Sequence, residues 1–117
     1  MVSKKVLITG GAGRIGRAVR SHLGSRYVFE CLDIVQVDDV VSHVADLSNF
    51  EEILPAFEGQ DAVVHLGGDP NGGAPWDSVL SNNIIGTYNV LEAVRLKGVE
   101  RFIFASSNHT VGINWEI

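Results

Sequence analysis

The stretch Thr9-Gly10-Gly11-Ala12-Gly13-Arg14-Ile15-Gly16 constrains this chain more than any other. The apolar run Val6-Leu7-Ile8 enters it, and a helical pattern leaves it. Glycine has no Cβ and takes backbone angles that other residues avoid. A strand that turns through such glycines into a helix brings backbone N–H groups against an anion, and the helix dipole favours the negative charge. Residues 9–16 therefore predict a phosphate cradle.

Around that cradle, strand and helix patterns alternate. Strands are predicted at residues 5–9, 27–32, within 39–45, at 62–66 and at 101–105, as short β-branched or aliphatic runs bounded by turn residues. The helix after the glycines carries Ile15, Ala18, Val19, His22 and Leu23 at the spacing of one buried face. Arg14, Arg17 and Arg20 fall off that face, and Gly24 is its stop signal. Ser48-Asn49-Phe50-Glu51 has the form of a capping box, with Phe50, Ile53, Leu54 and Phe57 behind it and Pro55 inside. A long helix is predicted over residues 76–97, burying Trp76, Val79, Leu80, Ile84, Thr87, Val90, Leu91 and Val94, and ended by Gly98. Residues 111–117 show no usable period.

Such alternation implies right-handed crossovers and an α/β fold. The expectation is one domain over residues 1–117, a Rossmann-type doubly wound parallel sheet with strand order 3-2-1-4-5. Its ligand crevice then lies at the carboxyl ends of the strands, beside the first.

The context of the glycines makes the ligand a dinucleotide, with Gly10, Gly13, Arg14, Ile15 and Gly16 against the phosphates. Asp33 closes the second strand seventeen residues after Gly16, where a carboxylate accepts the ribose hydroxyl hydrogens of an adenosine. Asp46-Leu47 closes the third strand at the same edge, beside the adenine. The plainer alternative is a tight turn with two aspartates serving turn formation. A carboxylate at Asp33 repels a 2′-phosphate, which favours NAD over NADP, whereas Arg14 inside the turn is a guanidinium that reaches phosphate.

Charge and cysteine content exclude other classes. The formal net charge is −5 with no basic block, which argues against nucleic acid or an anionic membrane as partner. Cys31 is the single cysteine, so no internal disulfide forms, and the histidines show no metal-ligand spacing. Val6-Leu7-Ile8 is too short for a signal-peptide core or a membrane span, so the expected location is cytoplasmic.

Further candidates lie toward the end of the chain. Asn83 falls in the apolar stripe of the long helix, and Gly86 stands one turn on, a pairing that suggests close approach of another backbone or of a ligand. A structural hydrogen bond is the equal alternative. Ser106, Ser107, Asn108 and His109 come after the fifth strand at the edge that carries the glycine turn. With no Gly-x-Ser-x-Gly elbow, a serine hydroxyl that hydrogen-bonds a substrate oxygen during hydride transfer fits better than a nucleophile. His65 reads as a satisfied core histidine, and His22 and His43 as ordinary helix or surface residues. Residues 67–73 form either a loop that closes over substrate on glycine hinges or simple disorder.

Thr-Gly-x-x-Gly-x-x-Gly at residues 9–16 resembles the extended short-chain dehydrogenase/reductase superfamily, with its NAD-dependent epimerases and dehydratases. His65-Leu66-Gly67-Gly68, Asn83-Ile84-Ile85-Gly86-Thr87 and Phe104-Ala105-Ser106-Ser107 resemble its later signatures, with glycines where alanines are common. Extended to Tyr88-Asn89 and to Asn108-His109-Thr110, these stretches look most like uronate dehydrogenases, which oxidise hexuronic acids to aldarolactones with NAD. The resemblance implies that Leu66, Gly67, Gly68, Asn83 and Ser106 bind cofactor, that Ser107 is the catalytic serine, and that Ser107, Asn108 and His109 bind substrate. It implies a small-molecule partner, a sugar acid or a sugar nucleotide.

One part of that pattern is missing. The superfamily's acid–base is a tyrosine followed four residues later by a lysine, which lowers the phenol pKa. Tyr27 and Tyr88 are the only tyrosines, and four residues beyond them stand Cys31 and Glu92. The expectation is therefore a portion of a longer dehydrogenase, inactive alone. The alternatives are a dinucleotide-binding module without chemistry and a chain that works by pairing. The outer face of the long helix, with Tyr88 and Leu96, and an uncovered last strand predict a homo-oligomer or marginal stability.

Overall fold

The structure, a computed structural model, describes residues 3–107. Within them stand β1 (Lys5–Thr9), α1 (Arg14–Leu23), β2 (Val28–Asp33), β3 (Val41–Val44), α2 (Phe50–Ile53), β4 (Ala62–His65), α3 (Trp76–Ser78), α4 (Gly86–Lys97) and β5 (Arg101–Phe104). All neighbouring strands pair parallel in the order β3-β2-β1-β4-β5, the predicted topology. Thr9 is in register with Leu32 on one side and His65 on the other. The carboxyl ends of three central strands therefore come out level, directly under the glycine turn.

One face of the sheet carries the main core. Leu7, Leu32 and Val63 meet Ile53 and Phe57 from the α2 region and Val90 and Ala93 from α4. The chain after α2 tightens into a 3₁₀ turn at Leu54–Phe57, with Pro55 near its start, where a missing N–H costs little. The cap of α2 is Asn49, whose Oδ1 accepts from Glu52 N at 3.3 Å, and not the predicted Ser48. Ser48 is taken instead by Asp46, whose Oδ1 accepts from its N–H at 2.9 Å and its hydroxyl at 2.8 Å.

Among the described residues α1 lies over the other face, and covers it more thinly than the helical spacing predicts. Ile15, Ala18 and His22 are exposed, Val19 and Leu23 half-buried, and Gly16 is the buried residue of the helix. The helix seats on its glycine: a Cβ at Gly16 would come within 2.9 Å of Gly11 Cα. Arg20 folds back, its Nη2 donating to Gly11 O at 3.1 Å. On β5, Ile103 and Phe104 are both more than half exposed, in line with the expectation of an uncovered last strand.

The long helix is interrupted. Between α3 and α4, residues Val79–Ile85 form a π-helical segment, in which Gly86 N–H reaches back five residues to Ser81 O. A π turn inserts an extra residue and rotates the remainder of the helix about its axis. The face of α4 that is buried is accordingly Gly86, Asn89, Val90 and Ala93. Trp76, Ile84 and Leu91, predicted inside, are exposed. Gly98 closes α4 in the left-handed conformation, as its position predicts. No helix among the described residues is long and apolar enough to cross a membrane.

Candidate functional site

At the carboxyl edge of the sheet two glycine-bearing segments lie backbone against backbone. Gly10 takes φ +71°, and a Cβ there would stand 2.8 Å from Gly67 N. Thr9 Oγ1 accepts from Leu66 N at 3.1 Å and Gly67 N at 3.0 Å, so the last side chain of β1 holds the chain leaving β4. Gly67 is itself hemmed in, since a Cβ would come within 2.7 Å of Leu47 Cδ1.

These segments wall a cleft of about 650 Å³. From the glycine turn it takes Gly10, Gly13, Arg14, Ile15 and Gly16, and from the end of β2 it takes Asp33. Leu47 closes it on the β3 side, and Leu66, Gly67 and Gly68 on the β4 side. Gly13 is the N-cap of α1 and brings no capping side chain, and the first intrahelical bond is Arg17 N to Gly13 O at 3.0 Å. The N–H groups of Arg14, Ile15 and Gly16 precede that bond and are the polar end an anion would meet. Asp33 is fixed across from them. Its Oδ2 accepts from Ala12 N at 3.0 Å, and its Oδ1 from Ile34 N at 2.7 Å.

Three predicted cofactor residues lie elsewhere. Asp46 is exposed and does not line the cleft; it is the turn-former that holds Ser48. Asn83 spends both ends of its amide on the loop after β4, Oδ1 accepting from Asp69 N at 2.7 Å and Nδ2 donating to Asp69 O at 3.1 Å. This is the structural alternative for Asn83, made to a loop. That loop is also held by its own turns, with Asn71 N donating to Asp69 Oδ1 at 3.0 Å and Gly73 N to Asn71 Oδ1 at 2.9 Å. Gly86 makes room for Leu47, whose Cβ would lie 3.0 Å from an added Cβ. Ser106 and Ser107 are exposed just beyond β5, outside the lining. Asn108 and His109 lie outside the described residues.

The cleft also contains residues that the sequence pattern does not single out. Ile34, Ala45 and Ala105 each adjoin or end a strand at this edge, so topology could have found them. Asn82 and Pro70 depend on the π turn and the pinned loop, which no sequence period signals. His43, read as ordinary, donates through Nε2 to Glu30 Oε1 at 2.8 Å, and Lys5 Nζ lies 3.1 Å from Glu30 Oε2. Burial works against the Glu30 charge, yet His43 and Lys5 together hold its carboxyl below the ordinary value.

The match to a protein-family model decides the affiliation: residues 6–117 fit the model of the NAD dependent epimerase/dehydratase family. The chain belongs to this family. It is 43% identical over 120 residues to an NAD-dependent glucose-6-phosphate dehydrogenase of Haloferax volcanii, covering 95% of this chain and 46% of that protein. Among solved structures, a mutant of uronate dehydrogenase from Agrobacterium tumefaciens complexed with NAD superposes with a TM-score of 0.84 at 36% identity, over 93% of this chain and 43% of that one. MoeE5, solved with UDP-glucuronic acid and NAD, superposes with a TM-score of 0.79 at 27% identity, over 88% and 36%. The chain thus spans less than half the length of these relatives.

The residues present fit the dinucleotide of the epimerase/dehydratase family. The uncapped start of α1 suits a pyrophosphate, and the fixed Asp33 carboxylate suits a ribose diol. Strand ends spaced about 4.8 Å apart carry the cleft from Asp33 on β2 to Ala105 beyond β5, a reach of three strand spacings.

Proposed function

We propose that this chain is the NAD-binding portion of an oxidoreductase acting on a sugar or sugar acid, and that the substrate is a hexuronic acid oxidised to an aldarolactone. The observation that carries the reading is the single cleft that joins the start of α1 to Asp33 and runs on to Ala105. NAD, when bound, supplies the hydride acceptor. Arg14, Ile15 and Gly16 hold its pyrophosphate through backbone N–H groups, and Asp33 takes the adenosine ribose. Ser107, just past β5, hydrogen-bonds the substrate oxygen, and Asn108 and His109 hold the sugar acid. The likeness to uronate dehydrogenase supports the choice of acid. A sugar nucleotide is the second reading, supported by the likeness to a structure holding UDP-glucuronic acid. A homo-oligomer is the assembly this reading expects, because Ile84, Tyr88 and Leu91 stand exposed at helical spacing along one stripe.

Calorimetric titration tests the cofactor. NAD binds, NADP binds more weakly, and Asp33→Ala weakens NAD by about tenfold or more, the worth of a hydrogen bond to a charged group. A titration in which the wild-type chain takes up no NAD would sink both readings.

A further inference from the structure

A second cavity, of about 770 Å³, lies between α1 and the chain that links β2 to β3. Among the described residues, none that lines it also lines the dinucleotide cleft. The short link explains the opening. A parallel crossover ordinarily spends a dozen or more residues, and usually a helix, on covering its face of the sheet. Here residues 34–40 make the crossing without a helix. The space stays open over Tyr27, one residue ahead of β2, and Phe29, whose rings meet edge to face at 5.9 Å.

Both signs of charge line this cavity. From α1 come Arg17 and Arg20, one turn apart, and from the crossing loop come Asp38 and Asp39. Among the described residues none of these side chains joins an ion pair. Arg20 is nonetheless fixed, because Nη2 donates to Gly11 O at 3.1 Å; its buried Nε finds no partner among the described residues. The loop is fixed as well. Val37 N donates to Ser42 Oγ at 2.9 Å, the Val37 side chain is buried, and Asp39 turns the chain at φ +66° in the left-handed conformation. Two guanidiniums and two carboxylates that share a cavity without neutralising one another leave both signs open to a ligand.

We propose that this cavity is a second binding site, for a polyhydroxylated carboxylic acid of the hexuronate class, with its carboxylate on Arg17 and Arg20 and its hydroxyls on Asp38 and Asp39. A guanidinium matches a carboxylate through two parallel hydrogen bonds, and an ionised aspartate accepts from hydroxyl groups. The rings of Tyr27 and Phe29 give the C–H face of a sugar an apolar floor. A simple anion would meet the repulsion of two aspartates, and a neutral sugar would leave both arginines unused. The mixture of signs therefore selects a ligand that carries a charge and hydroxyls together. This site stands apart from the dinucleotide reading, since the two cavities have no lining residue in common among the described residues.

The test titrates galacturonate into the isotopically labelled 117-residue chain and follows its backbone amides by nuclear magnetic resonance. The expected result is a saturable set of shifts at residues 17–21 and 36–40 that persists with NAD in excess. Because the readout is residue by residue, any binding beside Ser107 is scored separately. Arg17→Ala should weaken the saturable set about tenfold, and so should Asp38→Asn combined with Asp39→Asn, the loss expected for a hydrogen bond to a charged group. All three side chains are exposed, and asparagine tolerates the left-handed position, so these variants should keep the fold. Glucose, which lacks the carboxylate, and acetate, which lacks the hydroxyls, should each bind at least about tenfold more weakly than galacturonate. Acetate as tight as galacturonate would mean an anion patch, and glucose as tight would mean a neutral-sugar groove; either overturns the proposal. Shifts that never saturate, shifts that NAD abolishes, and variants that bind like the wild type overturn it as well.

Discussion

Thr9 Oγ1 and His65 Nδ1 lie 2.6 Å apart across paired strands, and the direction of that bond sets the state of the histidine. Thr9 Oγ1 already accepts from Leu66 N and Gly67 N, so its own hydrogen goes to Nδ1. The imidazole proton then sits on Nε2, facing Thr87 Oγ1 at 3.1 Å. A protonated ring would set two donors against each other at Nδ1. The residue is an internal clamp: it ties the glycine turn, the β4 exit and α4 together while remaining neutral.

Acid should loosen that clamp before it reaches the carboxylates. Burial lowers the His65 pKa from 6.5 to about 4. A histidine whose folded value is depressed binds its proton more readily in the unfolded chain. Its contribution is therefore complete above pH 6.5 and declines as pH falls toward 4, by about 3 kcal/mol in all. Glu30, held below its ordinary 4.5, adds a loss that begins as pH falls through 4.5 and continues below it. Urea unfolding across this range should show a steep fall between pH 6.5 and pH 4. The slope should flatten in His65→Asn; a slope unchanged in that variant would assign it to other groups.

Gly10→Ala tests the contact between the two glycine segments. The new Cβ would sit within 2.9 Å of Gly67 Cα, which is backbone and has nowhere to turn, and alanine is strained at φ +71°. Strain and overpacking together should cost about 3 kcal/mol, visible as a lower denaturant midpoint. NAD affinity should fall in the same variant, since the turn cannot keep its shape and admit the methyl group.

Asn89 carries a smaller but specific cost. It is a buried amide on α4 that donates to Leu47 O at 2.8 Å, tethering the wall of the cleft to the helix. Asn89→Leu keeps the volume and strands that carbonyl, so a loss of about 1–3 kcal/mol is expected by chemical denaturation. A neutral result would mean that water satisfies Leu47 O just as well.

How much of the fold and the cleft is legible in the sequence depends on the range over which each signal acts. Strand order is readable because each short apolar run is bounded by turn residues and parallel strands demand crossovers. The glycine turn and Asp33 are readable because their positions depend only on the unit that contains them. The buried face of α1 is not, because Gly16 draws the helix onto Gly11 at the one point where the apolar spacing has no side chain to offer. Nor is the face of α4, because a single π turn ahead of Gly86 shifts every later residue and sends Asn89 inward and Leu91 outward. Asn83 reads equally as a polar group near a ligand and as one in a structural hydrogen bond, and its partner is the backbone of a loop residue fourteen positions earlier.

The chain should bind NAD without reducing it. Neither tyrosine can serve as the acid–base. Tyr27 lies beside Phe29 at the opposite, amino end of β2, and Tyr88 stands 67% exposed on α4. Neither lines the cleft, and neither is followed four residues later by lysine. A phenol outside the cleft cannot take a proton from a substrate bound within it, since acid–base work needs hydrogen-bond reach. Incubating the purified 117-residue chain with NAD and glucuronate or galacturonate should give no rise in NADH absorbance, in a preparation that calorimetry shows to be loaded with cofactor. Turnover would require a base among residues given other work above, with Ser107 the first to substitute.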